Sequence, residues 1–473
     1  MLFSSTVFLI CFLPLLFLCY FSIPGRWLTL RNAVLLLFSL VFYAFGGLRY
    51  FWLLFVCILT DYLAWILIDR CTSLARKRLV LILCIVVTVG LLGYFKYAGF
   101  VASMAVSLGV SVSVPSIVLP IGISFFTFQG LSYVVDVYRF DAPVQKNPLN
   151  VALYIALFPQ LVAGPIVRYA AIAESLRHRD QTLDGFARGL TRFLLGFGKK
   201  MLLANAMGQI ADTVFSLTGH PSLTASLAWI GAVAYTFQIY YDFSGYSDMA
   251  IGLGLLFGFQ FEENFNYPYI SSSITEFWRR WHISLSSWFR DYVYIPLGGN
   301  RCSAGRHVFN LLLVWFLTGL WHGANWTFLL WGLCYGLLLL LEKYPLQRFL
   351  PKVPTAIRHF LTLILVILGW VLFRSDSVSK AGLYLYTMFG GAGFSSSQAF
   401  YFLREYWPEF LCCLLAALPI TRYLEKRFLG EGADPRIRTA ARILSMVYAS
   451  LVFFLSYMQL EYGGFNPFIY FQF

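Results

Sequence analysis

Several stretches of this chain are apolar over close to the length a helix needs to cross a bilayer. Leu2 to Phe21, Leu79 to Phe95, Trp229 to Phe261, Leu361 to Phe373 and Ala440 to Met458 are the clearest, and a hydrocarbon core takes roughly 20 helical residues. Inside that core no water is present to satisfy backbone N–H and C=O groups, so such segments must close their hydrogen bonds internally, as helices do. With 59% hydrophobic and only 12% charged residues over 473 positions, the chain falls outside the soluble globular class. The expected fold is an all-α polytopic membrane protein. The first stretch has no basic segment before it and ends at Ser22-Ile23-Pro24-Gly25 without a small-residue cleavage pattern, so it reads as a retained span and not a signal peptide.

The net charge of +13 does not point to nucleic acid, because the Lys and Arg residues lie in short loops between apolar spans and not in a basic domain. The positive-inside rule accounts for them. It puts 70–78, 168–200, 279–306, 343–358 and 422–442 on the cytoplasmic side and 98–116, 218–224, 374–407 and 461–473 outside, with both termini outside. Pro120 to Val137 and Leu149 to Gly164 cannot both cross before the basic segment at Arg168. One of them is expected to re-enter, broken at residues such as Gly122, Gly130, Pro159, Gly164 or Pro165. No internal repeat is visible, so 1–473 reads as a single membrane domain. The nine cysteines, Cys11, Cys57, Cys84 and the adjacent Cys412-Cys413 among them, have no metal-type spacing and read as small buried hydrophobes. No metal site is expected.

Chemistry-bearing residues concentrate in four places. In Trp278-Arg279-Arg280-Trp281-His282-Ile283-Ser284-Leu285, a helix capped by Ser273 or Thr275 would put Trp278, Trp281, Leu285, Trp288 and Phe289 on one face. That is the pattern of an interfacial amphipathic helix, with His282 bonding locally, or of a site whose Arg279 and Arg280 reach headgroups or an anionic ligand. His322 interrupts the apolar run from Val308 to Leu341. An ionisable group at membrane depth is a functional candidate by default, and imidazole is the side chain best matched to proton transfer near neutral pH. Gly319 and Gly323 beside it form a small-xxx-small pair that allows close helix approach, and Asn325 lies one turn further on. A structural histidine satisfied by a carbonyl is the alternative. Asp242 and Asp248, within Tyr241-Asp242-Phe243-Ser244-Gly245-Tyr246-Ser247-Asp248, need partners in an apolar segment: pairing with arginines is favoured over a proton path. The end of the chain, Phe468-Ile469-Tyr470-Phe471-Gln472-Phe473, is either an aromatic belt or, bent back by Gly463, Gly464 and Pro467, a means of presenting the Tyr470 hydroxyl to an acyl group.

Together with Leu119 to Phe125 and Phe158 to Pro165, these motifs resemble the membrane-bound O-acyltransferase family in its bacterial polysaccharide O-acetyltransferase branch. The likeness runs from Met1 to about Phe373 and is looser beyond it. The resemblance implies a funnel-shaped helical bundle with re-entrant segments and a depression facing the cytoplasm, with His322 at the position of the catalytic histidine and His282 at the second polar position. The tail, 461–473, resembles an FxYFxF motif of extracytoplasmic acyl relay or docking, with Tyr470 as the hydroxyl residue. The donor implied is acetyl-coenzyme A, a substrate and not a resident cofactor. Trp321, Asn325, Arg279 and Arg280 are the substrate-binding candidates, the arginines toward the coenzyme phosphates. The acetyl group would pass across the bacterial cytoplasmic (inner) membrane to an extracytoplasmic SGNH-type acetyltransferase partner, and then to a polysaccharide such as alginate or peptidoglycan. Two other readings stay open: an acyl-group transporter, since re-entrant segments and intramembrane carboxylates also suit translocation, and a scaffold that recruits a transferase without chemistry of its own.

Overall fold

A computed structural model describes residues 1–430, 432–463 and 466–469, and among them every regular element is a helix. Among the described residues five helices are long and apolar enough to cross a membrane: Leu48–Arg70, Leu74–Ser107, Trp326–Lys343, Thr355–Arg374 and Pro435–Glu461. Leu74–Ser107 shows why the composition is so apolar. Leu79, Leu83 and Val86 stand exposed along it, which suits acyl chains, while Arg76, Lys77 and Arg78 at its start suit a headgroup layer. The cysteines divide in the same way: Cys57, Cys84 and Cys413 are buried, but Cys11, Cys334 and Cys412 are exposed. Burial is therefore too general an expectation for them.

The chain forms two compact units, 1–193 with 249–262, and 194–248 with 263–473. In the first unit, Ile123–Arg139 is one unbroken and almost wholly buried helix. Gly130 lies inside it without kinking it, and Gly122 starts it at φ +75, where a Cβ would stand 2.5 Å from the Leu161 carbonyl oxygen. The break falls instead in the 149–164 stretch, which splits into Pro148–Ala156 and Phe158–Leu161 around a non-helical Leu157. Side chains take up the main-chain groups freed there. The Phe158 amide donates to Ser39 Oγ at 3.1 Å, and the Nε2 groups of Gln129 and Gln160 both donate to the Tyr154 carbonyl. A broken helix at membrane depth is tolerable on those terms.

In the second unit the apolar run around His322 is a helical hairpin. Ala304–His322 ends at the histidine, Gly323 is extended, and Trp326–Lys343 returns with Asn325 as its cap, accepting from the Thr327 amide at 3.2 Å. Gly319 makes the hairpin possible, because a Cβ there would collide with the Phe328 carbonyl. The small-residue reading of that position holds. The two arms meet at Trp315 and Trp331, 6.3 Å between ring centroids; Trp278 of Ile274–Arg280 packs on Trp315 at 4.6 Å, and Trp281 meets Trp370 of the Thr355–Arg374 helix at 4.8 Å.

One expected helix is two. Ile274–Arg280 and Ile283–Phe289 are separate seven-residue helices, divided at His282, whose φ is +44. Ser273 caps the first, accepting from the Glu276 amide at 3.0 Å. The division has a local cause. Asn264 offers its backbone carbonyl to the Ile283 amide and its side-chain oxygen to the Ser284 amide, so donors that would have continued the first helix are taken by another segment. The shared apolar face from Trp278 to Phe289 does not form as one stripe.

Candidate functional site

The second unit holds a narrow, mostly apolar cleft of about 420 Å³, whose wall includes Asp242, Trp281, His322, Trp331, Phe468 and Ile469. His322 reaches it from the end of its helix. The residue is 8% exposed and its ring is held edge-on by Trp331 at 5.1 Å and Phe373 at 5.2 Å. Rings on two sides fix the imidazole plane and keep bulk water off it, which strengthens any electrostatic interaction made in the cleft.

His282 stands one ring behind. It does not line the cleft, but packs on Phe243, which does, at 4.6 Å, and on Trp321 at 5.8 Å. Trp321 in turn lies 5.0 Å from His322. The structure thus brings both histidines into contact with a single indole. Asn264 Oδ1 already accepts from the Ser284 amide and hydroxyl, and it lies 3.2 Å from His282 Nδ1. In this network Nδ1 carries the proton and Nε2 is the free lone pair, with no hydrogen-bond partner among the described residues. Burial alone pulls the imidazole pKa down to about 3, so it is neutral at physiological pH.

The remaining candidates are placed unevenly. Trp321 is buried and touches both histidines. Asn325, besides capping its helix, donates to the Asp376 carbonyl at 2.9 Å and is not part of the cleft wall. Arg280 pairs with Glu276 at 2.8 Å and donates to the Asn266 carbonyl, whereas Arg279 is exposed. Neither arginine lines the cleft. Tyr470 lies outside the described residues.

Sequence reasoning missed Lys200. The positive-inside rule puts it in a cytoplasmic basic loop, yet it is 2% exposed and sits 2.6 Å from Asp242, with both side chains 3% exposed. Lys199 likewise pairs with Asp248 at 2.6 Å. The carboxylates are therefore paired as expected, but by lysines in place of arginines. Gly245 makes the pairing possible, because a Cβ there would lie 2.8 Å from the Gly196 carbonyl oxygen and 3.2 Å from Lys199 Cβ. The usable signal was the repeat itself: two adjacent lysines in an apolar context, facing two aspartates nearly two helical turns apart.

The tail also belongs to this site. Phe468 and Ile469 are each 6% exposed, Phe468 packs on Tyr246 at 4.9 Å, and Asn205 Nδ2 donates to Asn466 Oδ1 at 3.3 Å. Up to Ile469 it is bent back into the unit, and the flat aromatic belt is not what these residues form.

Comparison with known proteins gives a consistent result. The family model of the membrane-bound O-acyltransferase (MBOAT) family matches residues 132–378. Similar over its full length is the probable alginate O-acetylase AlgI of Azotobacter vinelandii, 40% identical with all of both chains covered. The probable alginate O-acetylase AlgI of Pseudomonas aeruginosa is 47% identical over 80% of this chain and 73% of its own. The peptidoglycan O-acetyltransferase of Helicobacter pylori is 36% identical over 86% and 84% respectively.

Proposed function

Because the chain belongs to the membrane-bound O-acyltransferase family, we propose that this multi-pass membrane enzyme moves acetyl groups from cytoplasmic acetyl-coenzyme A across the bacterial inner membrane for O-acetylation of an extracytoplasmic polysaccharide. The observation that carries the reading is His322, an imidazole held by rings in a cleft whose wall also includes the last described residues of the tail. His322 acts as general base. It takes the proton of an incoming hydroxyl as that oxygen attacks the thioester carbonyl, and the proton passes to the departing coenzyme thiolate as the C–S bond breaks. A hydroxyl is ionised to a negligible extent near pH 7, so an adjacent base lowers the barrier substantially.

Tyr470, joined to Ile469 by a peptide bond, supplies that hydroxyl. The resulting acetyl ester is handed to an extracytoplasmic SGNH-type transferase, and the C-terminus lies on the outer side. His282, neutral and one ring back, orients Trp321 against His322. Arg279, exposed where Arg280 is already engaged, attracts the coenzyme phosphates. Relatives that bear the names alginate O-acetylase and peptidoglycan O-acetyltransferase support a polysaccharide acceptor, chosen by the partner.

Purified protein in liposomes, supplied with acetyl-coenzyme A carrying a labelled acetyl group, tests this. Release of coenzyme thiol together with label on the protein is expected, and both should vanish in His322→Gln. A pure transporter or a scaffold gives neither signal. Thiol release no higher than from empty liposomes would overturn the proposal.

A further inference from the structure

Asn466 to Ile469 meet the rest of the second unit at a buried pair of opposite charges. We infer that Lys200 and Asp242 form a positioning clamp that seats the C-terminal tail against the His322 cleft. The inference rests on the proposal that the tail takes part in acetyl transfer.

Its basis is how the two charges are used. Lys200 Nζ and Asp242 Oδ1 are 2.6 Å apart, each on a side chain 3% exposed. Asp242 Oδ2 accepts the Ile469 amide at 2.8 Å, and Lys200 Nζ donates to the Pro467 carbonyl. A buried ion pair is tolerated only when the valences left over from the pairing are also satisfied. Here the tail's main chain satisfies one on each partner, an N–H on the anion and a C=O on the cation. The dependence runs both ways. Without the tail, an oxygen and an ammonium hydrogen lose their partners in an apolar setting; without the pair, a main-chain donor and acceptor of the tail are stranded.

The contacts go to main chain, so the clamp fixes the position of the tail whatever the side chains at 467 and 469. The side chains of Phe468 and Ile469 are left to form part of the cleft wall. Lys199 and Asp248 offer a contrast. Their pair has the same separation, but its side chains are 33% and 17% exposed, as fits a pair that water can serve.

The test reverses the clamp. Lys200→Asp combined with Asp242→Lys keeps an ion pair, but offers an acceptor to the Pro467 carbonyl and a donor to the Ile469 amide. Hydrogen exchange of the purified protein and polysaccharide acetylation in cells are both measured, alongside a chain truncated after Gly463. Amides in 466–469 should exchange about 10- to 100-fold faster, the range carried by a hydrogen bond to a charged group. Those of the Ala225–Leu256 helix should keep their protection, and acetylation should fall to the level of the truncated chain. Unchanged exchange in the tail overturns the clamp, and so does wild-type acetylation with a released tail where the truncated chain has lost acetylation. If the truncated chain itself acetylates normally, the relay reading fails, while the exchange result still decides whether the clamp exists.

If the reversed protein does not accumulate, Ile469→Pro and Ile469→Ala decide, since both leave the ion pair untouched. Both remove the isoleucine side chain, but only proline removes the amide. At equal membrane abundance, proline should lose at least tenfold more acetylation than alanine. Equal losses overturn the clamp.

Discussion

Replacing His322 separates chemistry from packing. Alanine removes the imidazole from between Trp321, Trp331 and Phe373, each 5.0–5.2 Å away, at a position 8% exposed. Truncating a large side chain in such a setting costs roughly 2–5 kcal/mol of packing, which lowers the amount of folded protein without changing the turnover of each surviving molecule. Loss of a general base acts on turnover itself, by roughly 100- to 10,000-fold, equivalent to about 2.7–5.5 kcal/mol of barrier. The two losses are similar in energy, so the assay must divide acetyl transfer by the quantity of protein in the membrane. His322→Phe sharpens the distinction, because it refills the ring box and supplies no base. Both variants should fall at least 100-fold per molecule, with His322→Phe accumulating better than His322→Ala. More than half of wild-type transfer per molecule in either variant would show that the imidazole is structural and would refute the reasoning.

His282→Ala should give a milder, mixed loss, changing donor affinity and turnover together through Trp321; if neither changes, the residue has no part in the site. His282 also predicts a pH effect. Its pKa is about 3 in the fold against 6.5 in the unfolded chain, so its contribution is intact above pH 6.5 and declines as pH falls from 6.5 toward 3, by roughly 1.4 kcal/mol per pH unit. Melting in detergent at pH 7.5 and 5.5 should therefore show a smaller acid-induced drop for His282→Gln than for wild type, and equal drops would contradict the assignment. Gly319→Val should abolish accumulation in the membrane, since its side chain would meet the Phe328 carbonyl; normal levels would mean that the hairpin is looser than described. Tyr470→Phe should stop polysaccharide acetylation while acetyl-coenzyme A binding persists, because only the phenol oxygen is removed; full acetylation would leave the tail as an anchor or docking surface.

The sequence by itself determined the solvent this protein folds in, because apolar run length is a local property and a bilayer reads it locally. It also singled out His322, since one ionisable residue stands out in an apolar run, and narrowed the cap near 274 to Ser273 or Thr275, since a helix cap is decided within a few residues. What stayed hidden depended on partners distant in the chain. The break at His282 exists because Asn264 takes its neighbours' donors, and the helical periodicity of the tryptophans continues straight through it. The turn at Gly323 is equally invisible to hydropathy, which runs on from one arm of the hairpin to the other. Lys200 read as a loop residue because charge alone does not reveal burial, and what makes that burial tolerable is Asp242 on another helix. The tail adds the clearest case: the Ile469 amide bonds a carboxylate 227 residues away. No local pattern encodes that distance, and only tertiary packing could join 466–469 to the cleft of His322.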